Sequence, residues 1–147
     1  MKSNKGFSLV ELVIVIAIMA ILVGLFAPNL LRMVEKTKVS QDVQLADSIK
    51  KAVELAMSDP DVVEADSYVR PVSGEMGKCI DDAGEAFRDA VYETLGAEGY
   101  AAVLTQFQSK DCSAVTLEVD SVNSRVTVKI DGSHADAMGG ETPIIVK

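Results

Sequence analysis

The sequence predicts an α+β fold. One long N-terminal helix, apolar in its first half and amphipathic in its second, packs on a small antiparallel sheet with a short extra helix. Three observations carry this expectation. Residues 7–31 are almost continuously apolar, a helical spacing of apolar side chains continues from there to about Ser58, and two segments alternate strictly between apolar and polar residues, Val115–Asp120 and Val126–Asp131.

The first element begins at Phe7. Phe7 to Leu31 is 25 residues, roughly 37 Å of helix at about 1.5 Å per residue, which is enough to cross a bilayer. Within it stands one carboxylate, Glu11. A charge inside a bilayer costs about 2.5–3.5 kcal/mol even on insertion scales, so such a residue is kept where something partners it. Lys2 and Lys5 precede the run and hold that end on the cytoplasmic side. A cleaved secretory signal fits poorly. The run ends Gly24-Leu25-Phe26-Ala27-Pro28, with a bulky side chain two residues before Ala27 and a proline after it, which is no small-x-small cleavage site. A plain anchor accounts for the length but not for Glu11 or the Gly6–Phe7 junction. Pro28 has no N–H, so the Gly24 carbonyl loses its helical partner, and glycine weakens the same turn. The pair is read either as a tolerated kink in a membrane helix or as a point of unwinding.

Beyond Arg32 the apolar positions form a stripe: Leu31, Val34, Leu45, Ile49, Ala52 and Ala56, widened by Val39, Val43, Ala46, Val53 and Met57. Lys36, Lys38, Asp42, Asp47, Lys50, Lys51 and Glu54 are expected to face outward. One helix from Phe7 to about Ser58 would run roughly 78 Å, and Asp59-Pro60-Asp61 stops it. A sustained coiled coil is disfavoured because the heptad breaks around Thr37–Gln41. The domain reading is 1–6, 7–31, 32–58 and a head of 59–147.

In the head, residues 59–80 read as a linker holding Pro60, Pro71, Gly74 and Gly77. Asp81 or Asp82 is expected to cap a helix with the apolar face Ala83, Phe87, Ala90, Val91 and Leu95, ended by Gly96. A further helical turn covers Tyr100–Phe107. Val115, Leu117 and Val119 alternate with polar residues, as do Val126, Val128 and Ile130, which reads as an antiparallel hairpin turning around Asp120–Arg125, and Pro143–Val146 is read as an edge strand.

Charge divides unevenly. Residues 1–38 carry five basic and two acidic side chains, a net +3, and residues 39–147 carry nine basic and twenty acidic, a net −11, which sum to the −8 of the chain. An acidic head argues against stable nucleic-acid binding, which needs clustered Lys and Arg, and reads as a solvated surface. Cys79 and Cys112 are a disulfide pair if the head lies outside the cytoplasm, worth roughly 3–4 kcal/mol on the chain-entropy model, and two separate thiols otherwise. They cannot complete a tetrahedral metal site with the lone His134. Asp131, Asp136 and Glu141, around the Gly132–Gly140 loop, could offer oxygen ligands to calcium, but without EF-hand spacing the reading is an unliganded polar loop. No nucleophile motif, phosphate loop or paired-carboxylate constellation occurs, so neither an enzyme nor a cofactor is expected.

Gly6-Phe7-Ser8-Leu9-Val10-Glu11 followed by some twenty apolar positions and Pro28 resembles the processing site of type IV prepilins, a family that includes secretion pseudopilins and competence pilins. The resemblance covers roughly residues 1–35 and implies a pilin-like fold. It also implies removal of Met1–Gly6 by a membrane aspartic prepilin peptidase, methylation of the new Phe7 amine by the same enzyme, and retention of the apolar helix. The mature amine titrates near 7.7–8.0 in an unperturbed peptide and stays basic when methylated. The resemblance then pairs Glu11 of an incoming subunit with the Phe7 amine of a neighbour. The implied protein is a pilus subunit, a major one, held single-pass in the cytoplasmic membrane with its N-terminus inside and its head outside until it polymerises into an extracellular filament. Its partners would be copies of itself, the peptidase and the pilus assembly machinery. The alternatives are a pseudopilin of a type II secretion or competence system, and an anchored binding domain that never polymerises. In many pilins the second cysteine lies near the C-terminus. Here 35 residues follow Cys112, so a C-terminal disulfide loop is not assumed.

Overall fold

The computed structural model describes residues 7–108, 114–120, 122–131 and 144–147. In chain order the elements are α1 (Leu9–Ser58), α2 (Pro60–Val63), β1 (Gly74–Glu75), α3 (Met76–Asp82), α4 (Glu85–Leu95), α5 (Tyr100–Gln106), β2 (Ala114–Asp120), β3 (Arg125–Asp131) and β4 (Ile144–Val146). The chain forms two compact units, residues 1–35 and 36–147. The expected α+β class is observed, a long N-terminal helix with a four-stranded antiparallel sheet and short helices.

In the second unit the sheet order is β1-β2-β3-β4, every pair antiparallel. The register places Val115 opposite Ile130, Leu117 opposite Val128 and Val119 opposite Val126, so the alternating residues share one face as their period of two requires. That face joins Val39, Ala46, Ile49, Ala52, Val53 and Ala56 of α1 in a single core, closed by Met76 and Ile80 of α3, Phe87 and Val91 of α4 and Val103 of α5. The turn between β2 and β3 is organised by Asp120, whose carboxylate accepts from the Val122 amide at 2.8 Å and the Asn123 side-chain amide at 2.8 Å. These bonds, the Asn123 side chain foremost, hold its carboxyl below the usual carboxylate range.

Three expectations need correction. The 59–80 stretch is no simple linker: it contains α2, β1 and most of α3. Asp59 does end α1, but its carboxylate also accepts the Asp61 amide at 3.0 Å and so starts α2, with Pro60 at the first helical position. Asp81 and Asp82 close α3 rather than capping the next helix. Gly84 precedes α4 with φ +106°, and a Cβ there would lie 2.4 Å from the Ser67 carbonyl oxygen. Only glycine fits that close approach. Gly96 ends α4 in a left-handed cap, as its position predicts.

The third correction concerns Asp42 and Glu54. Both were expected to face solvent, yet Asp42 is buried and its carboxylate accepts the Gln108 amide at 2.7 Å. Glu54 accepts the Val126 amide at 3.0 Å. Each ties α1 to backbone more than sixty residues away: 66 positions for Asp42 and 72 for Glu54. Backbone amides left over where a strand or helix ends need an acceptor when buried, and these two carboxylates supply it.

Two predictions follow from this packing. Asp42→Ala orphans the Gln108 amide and should lower stability by about 1–3 kcal/mol. Asp42→Asn keeps an acceptor oxygen and should lose less. Denaturant titration of the full chain in micelles compares them. Tyr92 is buried, and burial first, then the charge of Asp81, pushes its phenol up to about 12. Its unfolded value is about 10, so the folded state resists ionisation. The stabilisation is complete below about pH 10 and is lost as pH rises towards about 12. Tyr92→Phe should flatten that part of the alkaline stability profile.

Candidate processing and assembly site

Within the first unit, the apolar half of α1 is solvent-exposed along its length. All described residues from Phe7 to Leu31 are exposed, including Leu12, Ile16, Met19, Leu22 and Phe26. The helix is long and apolar enough to cross a membrane, and none of its most apolar window is buried. A contiguous apolar surface of this extent marks a membrane or protein contact. An apolar helix at this position is consistent with membrane anchoring.

The start of the helix is built by its own side chains. Ser8 precedes the first helical residue, Leu9, and its carbonyl accepts the Leu12 amide at 3.2 Å. Glu11, three positions on, turns back so that its Oε2 accepts the Ser8 amide at 2.9 Å. This is the glutamate arm of a capping box. A helix begins with amides that lack intrahelical partners, and its N-terminus carries a partial positive charge. The carboxylate answers both. Glu11 thus has a partner within its own chain, and one carboxylate oxygen, Oε1, lies outside that bond. Phe7 stands immediately before this turn, outside the helix and 85% exposed.

The structure brings Phe7 and Glu11 to one end of α1 and leaves the other singled-out residues elsewhere. Gly6 lies outside the described residues. Gly24 and Pro28 sit inside α1, which is assigned as helix through both, and a Cβ at Gly24 would meet nothing within 4 Å. Cys79 is buried in α3 and its thiol donates to the Val72 carbonyl at 2.8 Å. Burial first, then the nearby Asp82, pushes that thiol up and keeps it protonated. Its expected partner Cys112 lies outside the described residues, as do His134, Asp136 and Glu141. The contribution of Ser8 was missed in the sequence reading, although Ser8-x-x-Glu11 before an apolar run is the capping-box pattern.

Comparison with known proteins agrees with this architecture. Residues 1–27 match the family described as the prokaryotic N-terminal methylation motif. The chain is 28% identical over 106 residues to a fimbrial protein of Moraxella nonliquefaciens, covering 72% of this chain and 58% of that protein. It is 40% identical over 78 residues to the type IV major fimbrial protein FimA of Dichelobacter nodosus, covering 52% of this chain and 46% of the relative. A prepilin peptidase-dependent protein A of Clostridium perfringens is 29% identical over 100 residues, covering 64% and 71%. The chain therefore spans about half the length of the fimbrial relatives it matches. No solved structure matches. The matched motif coincides with the capped, exposed apolar start of α1. The chain thus carries a prokaryotic N-terminal methylation motif at its start and is similar to type IV fimbrial proteins over part of its length.

Proposed function

We propose that this chain is a structural subunit of a type IV pilus, a major pilin that polymerises after its leader is removed. The observation that carries the reading is the wholly exposed apolar half of α1 with Glu11 in its first turn. A surface of that kind is stable in lipid, or among copies of itself, and in no aqueous setting. Residues 1–6 are the leader, cut between Gly6 and Phe7 by a prepilin peptidase that then methylates the Phe7 amine. Residues 7–31 span the cytoplasmic membrane and later form the filament core, residues 32–58 continue the helix, and 59–147 make the head on the outer side.

In the filament the free oxygen of Glu11 takes the Phe7 amine of a neighbouring subunit. An unpaired charge in an apolar core is strongly penalised, so the pair sets axial register as well as attraction. The similarity to a major fimbrial protein favours a pilin over a secretion or competence pseudopilin. Cys79 and Cys112 would form the head's disulfide once exported, after the Cys79 thiol leaves the Val72 carbonyl.

Intact-mass measurement of the mature chain should give a species that begins at Phe7 with one added methyl group. That chain should dominate filaments sheared from cells, and Glu11→Ala should abolish them. A mature protein still carrying residues 1–6, or abundant filaments from the alanine variant, overturns the reading. We also propose that Gly24 and Pro28 mark a segment that unwinds when the subunit leaves lipid. Gly24→Ala has room for its methyl group and strengthens the helix by about 1 kcal/mol, so it should leave the monomer folded by circular dichroism while lowering filament yield.

A further inference from the structure

The head carries two surfaces, built from different residues, whose shapes and charges answer each other. We propose that the tip of the β2–β3 hairpin of one copy docks into the groove beside α4 of a second copy, with Val122 as its anchor. This rests on the reading of the chain as a filament subunit.

Val122 is 87% exposed. A lone exposed valine needs no explanation by itself, but this one stands on pinned backbone. Asp120 accepts the Val122 amide and the Asn123 side-chain amide, each at 2.8 Å. Ser124 holds a left-handed φ of 53°, which side-chain-bearing residues rarely adopt. Arg70 reaches across 54 positions to donate to the Ser124 hydroxyl at 2.7 Å. All five of these residues are exposed, so the bonds bury nothing. Their effect is to present an apolar side chain from a fixed place, with Arg70 and Arg125 on its flanks, and a surface ordered beforehand loses less freedom on binding.

The groove has a volume of about 640 Å³ and lies where α3, α4 and the start of α5 meet. Tyr92, Ala97 and Tyr100 line it, and none of the three is exposed. Around them stand Asp81, Asp89, Glu93 and Glu98 against the one cation Arg88, a net −3. Arg88 is held by Asp89 at 3.0 Å, whereas Asp81, Glu93 and Glu98 form no ion pair with the described residues. Nor do any three acidic side chains among the described residues converge on one point as a metal ion requires. The negative charge is spread around apolar lining, and its complement is an apolar side chain between separated cations. The hairpin tip has that composition. Tip and groove share no residue, so the contact is heterologous: each copy that uses its tip still offers its groove, and the contact propagates along a filament instead of closing a dimer.

Because Val122 is exposed, changing its charge tests docking without touching the core. Filaments sheared from cells are quantified for wild type, Val122→Asp, Val122→Lys and Val122→Asp combined with Glu93→Lys and Glu98→Lys, with membrane subunit levels matched by immunoblot. Val122→Asp should lower the yield by about tenfold, as like charges face to face do. Val122→Lys should assemble near the wild-type level, and the combined variant should recover. In filaments made from a mixture of Val122→Cys and Glu98→Cys copies, a mild oxidant should give a cross-linked pair that neither copy gives alone. The inference is overturned if Val122→Asp assembles like wild type, if Val122→Lys fails as badly, or if the mixed filaments give no cross-link. It is equally overturned if Glu93→Lys with Glu98→Lys leaves the yield unchanged in an otherwise wild-type chain, which would give the groove to a foreign cationic partner. Absence of filaments from the wild-type chain instead overturns the subunit reading beneath it.

Discussion

Among the described residues, a run of 25 with a single charge stays exposed from end to end. Every other feature of the N-terminal unit answers that constraint. The helix satisfies its backbone internally, which an apolar surrounding demands. The single carboxylate sits where a helix most favours negative charge and where an unpaired amide awaits it. Glu11 is therefore less of an anomaly in the monomer than its position in the sequence suggests. Its cost is offset locally, and it retains an oxygen for a second donor.

The second unit solves a different problem with few aromatic residues and no tryptophan. Its core is built from aliphatic side chains of α1, the sheet and the short helices, with Phe87 as its largest fully buried side chain. Polar contacts then fix how the pieces meet. Tyr100 accepts the Val115 amide through its hydroxyl at 3.1 Å, Ser73 accepts the Val119 amide at 2.9 Å, and Asp42 and Glu54 hold backbone of distant segments. Each gives a backbone amide a side-chain acceptor, as polar groups in a folded chain require.

Much of this was legible in the residues. The length of α1, its stop at Asp59-Pro60 and the β2–β3 hairpin all follow from apolar period and turn chemistry, which are local properties. Gly96 as a helix end is local too. What escaped was non-local or concealed by composition. Nothing in the pattern distinguishes Asp42 from the half-buried Asp47, because the Gln108 amide that recruits it lies 66 residues away. The proline and glycine content of 59–80 suggested loop, yet Asp59 and Pro60 begin a helix, and Gly74 lies on a strand only because β2 offers it an edge. At the N-terminus the family resemblance directed attention to Glu11 and Phe7 as an intersubunit pair. The bond that the structure actually contains, between Ser8 and Glu11, was written in the same six residues.

The sheet order has a consequence for how the head comes to be. Each strand lies beside the one that precedes it in the chain: β2 beside β1, β3 beside β2, β4 beside β3. No strand has to wait for a later one to be inserted between it and its neighbour. The sheet can therefore be laid down in the direction of synthesis, with the tight β2–β3 hairpin closing the shortest loop and the short β4 added last. Local pairing of this sort shortens the search that slows β-rich folding. It also limits the time for which a half-made edge is open to a neighbouring chain.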